Sequence, residues 1–263
     1  GDDIRLMGVQ TLAGEVKKFA GTSVKDYGGI GGMKTVSVRN LGAQHTAVSY
    51  DGIVVSNTQA GQIDIGRFSL DNVSLLSMAV GQSSDMLQSA RHYASAAVMG
   101  ISTAQPLPAD KSSQLRIGLS GGSWGQINPK VRLWQRLSGS SVLSINADYM
   151  RADGTYPYTL VNGLESTRER RENSGISQWH VEGNVNTSFS DSSRLDVKAY
   201  YYRSSRGLPG SVILYNNESN EHLWDENLFA QAIYNKRWNE QWQWVARAKY
   251  THSWNKYEDY DIK

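Results

Sequence analysis

One pentapeptide in the sequence has the spacing of a catalytic serine. Gly118-Leu119-Ser120-Gly121-Gly122 matches the G-x-S-x-G pattern in which many hydrolases hold their nucleophile. That pattern needs a sharp turn from a strand into a helix, whereas Trp124-Gly125 and another strand pattern follow here. We therefore interpret the pentapeptide as a glycine-rich strand end, and we keep a hydrolase that uses Ser120 as an alternative.

Metal and thiol chemistry have little support in the sequence. The chain contains no cysteine, so thiolate catalysis, cysteine metal sites and disulfides have no residues to form them. The acidic segment Glu221–Glu226, EHLWDE, could bind a cation, but a solvated acidic loop is the simpler interpretation. We predict neither a metal site nor a cofactor. The histidines are scattered, without the H-x-x-x-H spacing of a helical zinc site: His45, His92, His180, His222 and His252.

The composition excludes two classes of protein. Lysine and arginine number 27 against 25 aspartate and glutamate, a net charge of +2, which argues against nucleic-acid binding by bulk charge. Mean hydropathy is −0.49 and no run of about 18 apolar residues exists, so no transmembrane helix is predicted. The first residues, GDDIRLMGVQ, do not form a signal peptide. Either the protein is not exported, or a signal was removed before the numbered chain.

The elements of the first 108 residues surround one short β-framework. Thr35–Ile53 contains two short alternating segments and then Asp51-Gly52, a tight-turn dipeptide. Pro106-Leu107-Pro108 marks a boundary, which divides the chain into domains 1–108 and 109–263. Around the framework we predict a helix at Thr11–Ala20, a glycine-rich loop at Lys25–Met33, a polar loop at Ser56–Ile63, a strand at Ser74–Val80 and an alanine-rich helix at Asp85–Met99.

The second part of the chain alternates apolar and polar residues over long segments, which predicts strands with one apolar and one polar face. The connections alternate between short ones and long polar ones, such as Arg151–Ser177 and Arg206–Asp225, which is typical of outer-membrane barrels. The seven predicted strands are Leu115–Gly121, Lys130–Leu137, Leu143–Tyr149, Trp179–Phe189, Leu195–Tyr201, Leu228–Trp238 and Trp242–Trp254.

A transmembrane barrel explains these strands better than a soluble sandwich does. With the residues that flank these alternating segments, we expect strands of about 9 to 13 residues, long enough to cross a bilayer at a tilt. Their apolar face carries aromatic residues near the strand ends, and the opposite face is strongly polar. Arg203 falls on the apolar side of the fifth strand, but near its end, where a charge costs little. Because a plugged barrel has on the order of 22 strands, seven form only part of one. A soluble β-rich ligand-binding protein remains the alternative.

The framework residues then resemble the plug domain of TonB-dependent outer-membrane receptors, such as the cobalamin and siderophore receptors. Val38-Arg39-Asn40 and Val48–Ile53 match a plug strand that ends in Arg-Gly and one that ends in Asp-Gly. Tyr93–Ile101 matches the closing plug motif, and Arg206–Gly210 resembles the third outer loop. Asn40 replaces the family glycine. Gly81 alone remains of a later Arg-Gly-Pro, so one of two plug arginines that meet barrel glutamates in the family is missing.

The resemblance implies a fold, a function and a set of partners. The fold is an α+β plug followed by antiparallel strands of a transmembrane β-barrel. The function is energy-coupled uptake across the bacterial outer membrane of a scarce large ligand, a ferric siderophore or cobalamin, without enzymatic activity. The partners are outer-membrane lipid, the ligand, a surface lipoprotein, and the periplasmic protein TonB through a segment upstream of Gly1.

The resemblance also implies a ligand platform on the plug loops. The matching loops are Asp26–Met33 and Ser56–Ile63, whose glycines allow the chain to reshape around a large ligand. We expect the plug framework itself to depend on Arg39, Asp51 and Gly52. The predicted ligand-binding residues combine one aromatic face with amide donors and acceptors: Tyr27, Asn57, Gln59 and Gln62.

Overall fold

The computed structural model contains two packed units joined by one connection. It describes residues 11–27, 30, 32–57, 61–81, 86–103, 107–189, 192–212 and 219–260. Elements up to residue 103 form the first unit, which we call the plug, and a seven-stranded sheet, which we call the wall, forms the second. Within the described residues, no helix is long and apolar enough to cross a membrane.

The plug is built from short elements around a mixed sheet. Helix α1 (Leu12–Val16) begins at Thr11, whose side chain accepts a hydrogen bond from the Gly14 amide at 3.2 Å, and it buries Leu12 and Val16. Strands β1 (Thr22–Asp26) and β2 (Lys34–Val38) pair as a hairpin. The four-stranded sheet has the order β4-β3-β6-β5, from β3 (Thr46–Tyr50), β4 (Ile53–Val55), β5 (Leu75–Val80) and β6 (Ala97–Ser102); helix α2 (Ala90–Tyr93) precedes β6.

The predicted turn at Asp51-Gly52 is confirmed. Tyr50 pairs with Ile53, so only two residues connect β3 and β4. Both have a positive φ, 47° at Asp51 and 82° at Gly52, as in a type I′ turn. The two segments of the framework do not pair with each other, however: β2 pairs with β1, and β3 lies between β4 and β6. The framework is therefore shared between the hairpin and the mixed sheet.

The wall contains all seven predicted strands, each antiparallel to its neighbours, in the order β15-β14-β13-β12-β9-β8-β7. Its strands are β7 (Ser113–Gly122), β8 (Gln126–Arg136), β9 (Ser141–Ala152), β12 (Ile176–Ser188), β13 (Ser193–Leu208), β14 (Glu221–Arg237) and β15 (Gln243–Asp259). One face of the wall is polar and covered by the plug, as at His180 and Glu182, while Trp179 on the opposite face is 54% exposed.

Several predicted boundaries are wrong. The alanine-rich segment Asp85–Met99 is not one helix: α2 has a single turn, and Ala97 to Met99 belong to β6, which is held between β3 and β5. The helix predicted to reach Ala20 ends at Val16. Lys25 and Asp26 belong to β1 rather than to the glycine-rich loop.

The long connections of the wall also differ from the prediction. The connection after β9 contains a separate hairpin of β10 (Pro157–Asn162) and β11 (Glu165–Arg170). The loop predicted at Arg206–Asp225 is much shorter, because β13 continues to Leu208 and β14 already begins at Glu221. The EHLWDE segment is therefore strand, paired on both sides.

The hydrophobic core lies between the plug and the wall as well as within the plug. Tyr50 stacks on Phe68 with ring centroids 4.8 Å apart, and Tyr200 stacks on Phe229 of the wall at 4.4 Å. The Tyr50 ring lies edge-on to both wall rings at 6.0 Å. Aromatic pairs of this kind contribute about 0.5–1.5 kcal/mol beyond the area they bury. The apolar core thus fixes β3 against β13 and β14.

Candidate functional site

The predicted ligand-binding residue Tyr27 lies at the end of the β1–β2 hairpin, where its side chain is 48% exposed. Its backbone amide donates to the Met33 carbonyl at 3.0 Å, which closes the connection. The Lys25 ammonium lies 4.8 Å from the centre of the Tyr27 ring. An aromatic face is therefore held in an exposed position beside a cation.

The second predicted loop lies next to the first at its base. The Asp64 carboxylate accepts hydrogen bonds from the backbone amides of Lys34 and Gly66, both at 2.9 Å, and so joins the start of β2 to the end of this loop. Asn57 and Gln62 are half-buried. Gln59 lies outside the described residues. The structure thus brings the bases of the two predicted loops together.

The three framework residues have different surroundings. Arg39 is exposed, and its backbone has a φ of 51°. Its amide donates to the Gly21 carbonyl at 2.8 Å. Its side chain forms no ion pair within the part of the chain that the structure describes. Asp51 and Gly52, by contrast, face the wall. A Cβ placed on Gly52 would lie 3.6 Å from the Ile233 Cδ1 atom of β14.

Asp51 takes part in a buried polar contact between plug and wall. Lys198 of β13 places its ammonium 2.6 Å from the Asp51 carboxylate, 3.5 Å from the Glu182 carboxylate and 2.8 Å from the Thr103 hydroxyl. The Thr103 amide and hydroxyl both donate to Asp51 at 2.7 Å. The Lys198 side chain is 4% exposed, and the Asp51 side chain is 22% exposed. We call Tyr50, Asp51, Thr103, Glu182 and Lys198 the Lys198 cluster.

Tyr50 completes the cluster with a hydrogen bond across the contact. Its hydroxyl donates to Glu182 Oε2 at 2.7 Å, and the Lys198 ammonium lies 4.3 Å from the centre of its ring. Burial, and secondarily the Glu182 charge, raise the pKa of Tyr50 well above its usual value, so the hydroxyl remains a donor at neutral pH. His180 adjoins the cluster: Nδ1 lies 2.8 Å from Asp148 and Nε2 lies 3.6 Å from Glu182.

A second polar contact between plug and wall is more open to water. The Lys130 ammonium of β8 lies 2.6 Å from the Asp71 carboxylate, with side chains 27% and 41% exposed. Arg132 donates to the backbone carbonyls of Asp71 at 3.1 Å and Thr103 at 3.4 Å. These two ion pairs between plug and wall therefore differ in their surroundings: the pair at Lys198 is largely buried, and the pair at Lys130 is partly hydrated.

The segments considered for enzymatic or metal chemistry form regular strands. Ser120 lies inside β7, its hydroxyl donates to the Asn128 side chain at 3.3 Å, and none of residues 118–122 has the positive φ of a strained turn. His222 lies in β14, where Nε2 is 2.7 Å from the Ser205 hydroxyl. No group of three or more metal-ligating side chains occurs among the residues that the structure describes.

The sequence predictions did not name Glu182, Lys198 or His180 as residues of a site. All three are at most 4% exposed. A signal was available, because these charges occupy the middle of predicted strands, on the face that a plug would cover. Their partners depend on how the plug sits on the wall, which residue spacing does not specify.

The comparisons with known proteins agree with this architecture. Residues 1–91 match the family model of the TonB-dependent Receptor Plug Domain. The chain carries a TonB-dependent receptor plug domain. The vitamin B12 transporter BtuB of Vibrio vulnificus (strain YJ016) is 21% identical over 253 residues, which cover 93% of this chain and 39% of the transporter.

Solved structures show the same fold, with the wall as the antiparallel sheet that follows the plug. The FrpB iron transporter from Neisseria meningitidis superimposes with a TM-score of 0.70 at 11% identity, over 93% of this chain and 38% of its own. The siderophore receptor PirA from Pseudomonas aeruginosa superimposes with a TM-score of 0.64 at 14% identity. The match covers 97% of this chain and 40% of PirA. The chain therefore spans about two fifths of the length of these relatives, all of which are named as transporters or receptors.

Proposed function

We propose that this chain is the plug and the first barrel strands of an outer-membrane receptor for energy-coupled uptake of a scarce large ligand, a ferric siderophore or cobalamin. The observation that carries the proposal is the plug domain packed on the polar face of an antiparallel wall. Residues 1–108 form the plug in this proposal, and residues 109–263 the barrel strands. TonB is the energy-coupling partner, and no step requires enzymatic chemistry.

The outer face of the wall supports a location in a bilayer. Trp179 and Trp254 lie in one row near the long connections, and Phe189 and Trp244 lie near the short turns; each is between 46% and 54% exposed. Each strand separates its two aromatic residues by ten positions. Ten residues of a tilted strand rise about 25 Å, the height of the apolar band of membrane barrels. Arg203 lies in the upper row, opposite Glu226, where an interfacial charge costs little.

The ligand in this proposal binds the exposed plug loops, through the Tyr27 ring and the amides of Asn57, Gln59 and Gln62. A large ligand with aromatic or planar groups can stack on Tyr27, and the adjacent Lys25 favours an anionic one. The relatives named for vitamin B12 and for siderophores support these two ligand classes. The soluble-protein and hydrolase alternatives have no comparable support.

The test is binding to the full-length protein in detergent, with ferric siderophores, cobalamins and oligosaccharides as separate probes. We expect one of the first two classes to bind, and Tyr27→Ala to weaken that binding about tenfold. Tyr250→Ala is the matched control, because Tyr250 is an exposed tyrosine on the outer face of the wall.

Three results would contradict the proposal. Binding of none of the probes would remove the ligand assignment. Recovery of the full-length protein in the soluble fraction without detergent would favour a soluble ligand-binding protein. Hydrolysis of an ester that Ser120→Ala abolishes would support the hydrolase instead. Uptake of the bound ligand by cells, and its loss in cells without TonB, completes the expected outcome.

A further inference from the structure

The Lys198 cluster joins two parts of the chain that the proposed function requires to separate. Asp51 lies in the β3–β4 turn at the centre of the plug, whereas Lys198 and Glu182 lie on neighbouring strands of the wall. We propose that this cluster is the contact that opens when the plug leaves the wall, and that Lys198 is the residue that holds β3 in place until then. Its connection with transport rests on the proposed function.

The energetics of buried ion pairs suit a contact that must open and close. Bringing Lys198 and Asp51 out of water carries a desolvation cost that their attraction repays only while both are present. When the plug moves away, both charges regain water, so separation is less costly than separation of an apolar contact of the same size. Removing one partner alone leaves the other charge buried without compensation. Removing one member by mutation should therefore cost more free energy than separating the intact cluster costs when the plug moves away.

An open pocket beside the cluster, lined by polar residues as well as by apolar surface, provides a place for water to enter. It has a volume of about 200 Å³ and is lined by Asp51, Thr103 and Lys198 from the cluster, and by Ser144, Asn184 and Asn186 of the wall. A pocket of this size has room for water, which the polar side chains of its lining can bind. Lys198 can thus exchange its protein partners for water without first crossing an apolar layer.

Within the cluster, one atom is already short of partners. Glu182 Oε1 is buried and has no hydrogen-bond partner among the residues that the structure describes, while Oε2 accepts a hydrogen bond from the Tyr50 hydroxyl and faces Lys198. An unsatisfied buried carboxylate oxygen raises the free energy of the closed state. This observation also favours a contact with low net stability rather than a permanent one.

The experiment measures hydrogen exchange of the β3 amides in the full-length protein without ligand. We expect Lys198→Met to accelerate exchange at least about tenfold, because Asp51 and Glu182 lose their cation. The control is Lys130→Met, which removes the cation of the partly hydrated contact and should change β3 exchange far less. Exchange in β7, a wall strand four positions from β13 that contributes no residue to the cluster, separates local opening from unfolding of the whole protein.

A double variant keeps the test decisive if Lys198→Met folds poorly. Asn at position 51 tolerates the positive φ and retains an acceptor for the Thr103 amide. We expect the effects of Asp51→Asn and Lys198→Met on β3 exchange to be non-additive. The double variant should exchange about tenfold more slowly than the two single effects added together would predict. Additive effects, or a Lys198→Met variant no different from Lys130→Met, would overturn the proposal.

Failure of this proposal is distinguishable from failure of the proposed function. The exchange measurements need neither ligand nor TonB, so they test the contact alone. If coupling between positions 51 and 198 is found but no siderophore or cobalamin binds, the transport assignment fails and the contact stands. If binding and uptake are found without the coupling, only the role of Lys198 is removed.

Discussion

Two turns of the plug carry an aspartate and a tyrosine as sequence neighbours, and each aspartate pairs with a lysine. At the β1–β2 connection the Asp26 carboxylate lies 2.9 Å from the Lys34 ammonium, and the Asp26 side chain is 41% exposed. Tyr27 next to it is 48% exposed, with Lys25 over its ring. Water screens these charges, so the pair contributes little to stability and the tyrosine is available for contact with a ligand.

At the β3–β4 turn the same residue types are arranged against the wall. Asp51 pairs with Lys198, and Tyr50 is fully buried with the same lysine over its ring. In this low-dielectric setting each interaction is stronger, and each unpaired group is more costly. Residue type alone therefore does not decide the role of a turn that carries aspartate and tyrosine. The residues packed around the turn decide whether it can adapt to a ligand or holds its strand against the wall.

The largest expected difference between the two turns is at their aspartates. We expect Asp51→Ala to lower the free energy of opening of β3 by about 3 kcal/mol, since it leaves Lys198 buried without its nearest carboxylate. Asp26→Ala should change that free energy by less than about 0.5 kcal/mol. Hydrogen exchange of the β3 amides measures both. Equal effects would show that burial does not separate the two pairs.

The tyrosine hydroxyls should differ next. Tyr50→Phe removes a buried hydrogen bond to a carboxylate, and we expect it to lower the free energy of unfolding by about 1.5–3 kcal/mol. Tyr27→Phe serves as the matched variant at the exposed turn and should leave stability unchanged. Pulse proteolysis of the plug in urea compares the two midpoints. A tolerated Tyr50→Phe would mean that water replaces the hydroxyl beside Glu182.

A smaller effect is expected from the backbone of the buried turn. Gly52→Ala forces a Cβ into a φ of 82°, which costs about 1–2 kcal/mol, while the nearest wall atom at 3.6 Å leaves enough space. Gly139→Ala is the control, because Gly139 has open space around it and no positive φ. Thermal unfolding of both variants measures the difference. If the two midpoints coincide, the turn relaxes away from its left-handed geometry.

The smallest effect is expected from the salt dependence of the exposed pair. Asp26→Asn should alter hydrogen exchange of β1 and β2 by less than about 0.5 kcal/mol at low salt, and the effect should disappear at about 1 M salt. The same salt change should leave exchange in β3 almost unaltered, because Lys198 is buried. A strong salt response in β3 would contradict the burial of the Lys198 cluster.

The sequence predicted the strands of the wall well because their signal is local. Period-two alternation requires only that one face is apolar, and the segments from Leu115–Gly121 to Trp242–Trp254 have it, although it is irregular in Leu228–Trp238. The signal was lost where both faces of a strand are polar. EHLWDE has no alternation to detect, yet pairing with β13 and β15 makes it strand. The helix predicted for the alanine-rich segment was wrong for a different reason. There the local preference for helix is clear, but pairing of β6 with its neighbouring strands overrides it.

The candidate site was less predictable than the fold. Tyr27 and the adjacent loop could be named from residue type and a family resemblance, and their roles stay predictions. The Lys198 cluster depends on which wall residues lie opposite the Asp51-Gly52 turn. That correspondence is set by the position of β3 relative to β12 and β13, and no spacing within either segment contains it.

The length of the last three strands has a further consequence. Strands β13, β14 and β15 have 16, 17 and 17 residues, whereas a bilayer requires about 9–11. In the proposed orientation the surplus extends above the upper aromatic row as hydrogen-bonded sheet. Hydrogen-bonded sheet deforms less than a loop of the same length. On the proposed function, this side of the entrance would therefore keep a fixed shape and select ligands by size before they reach the plug.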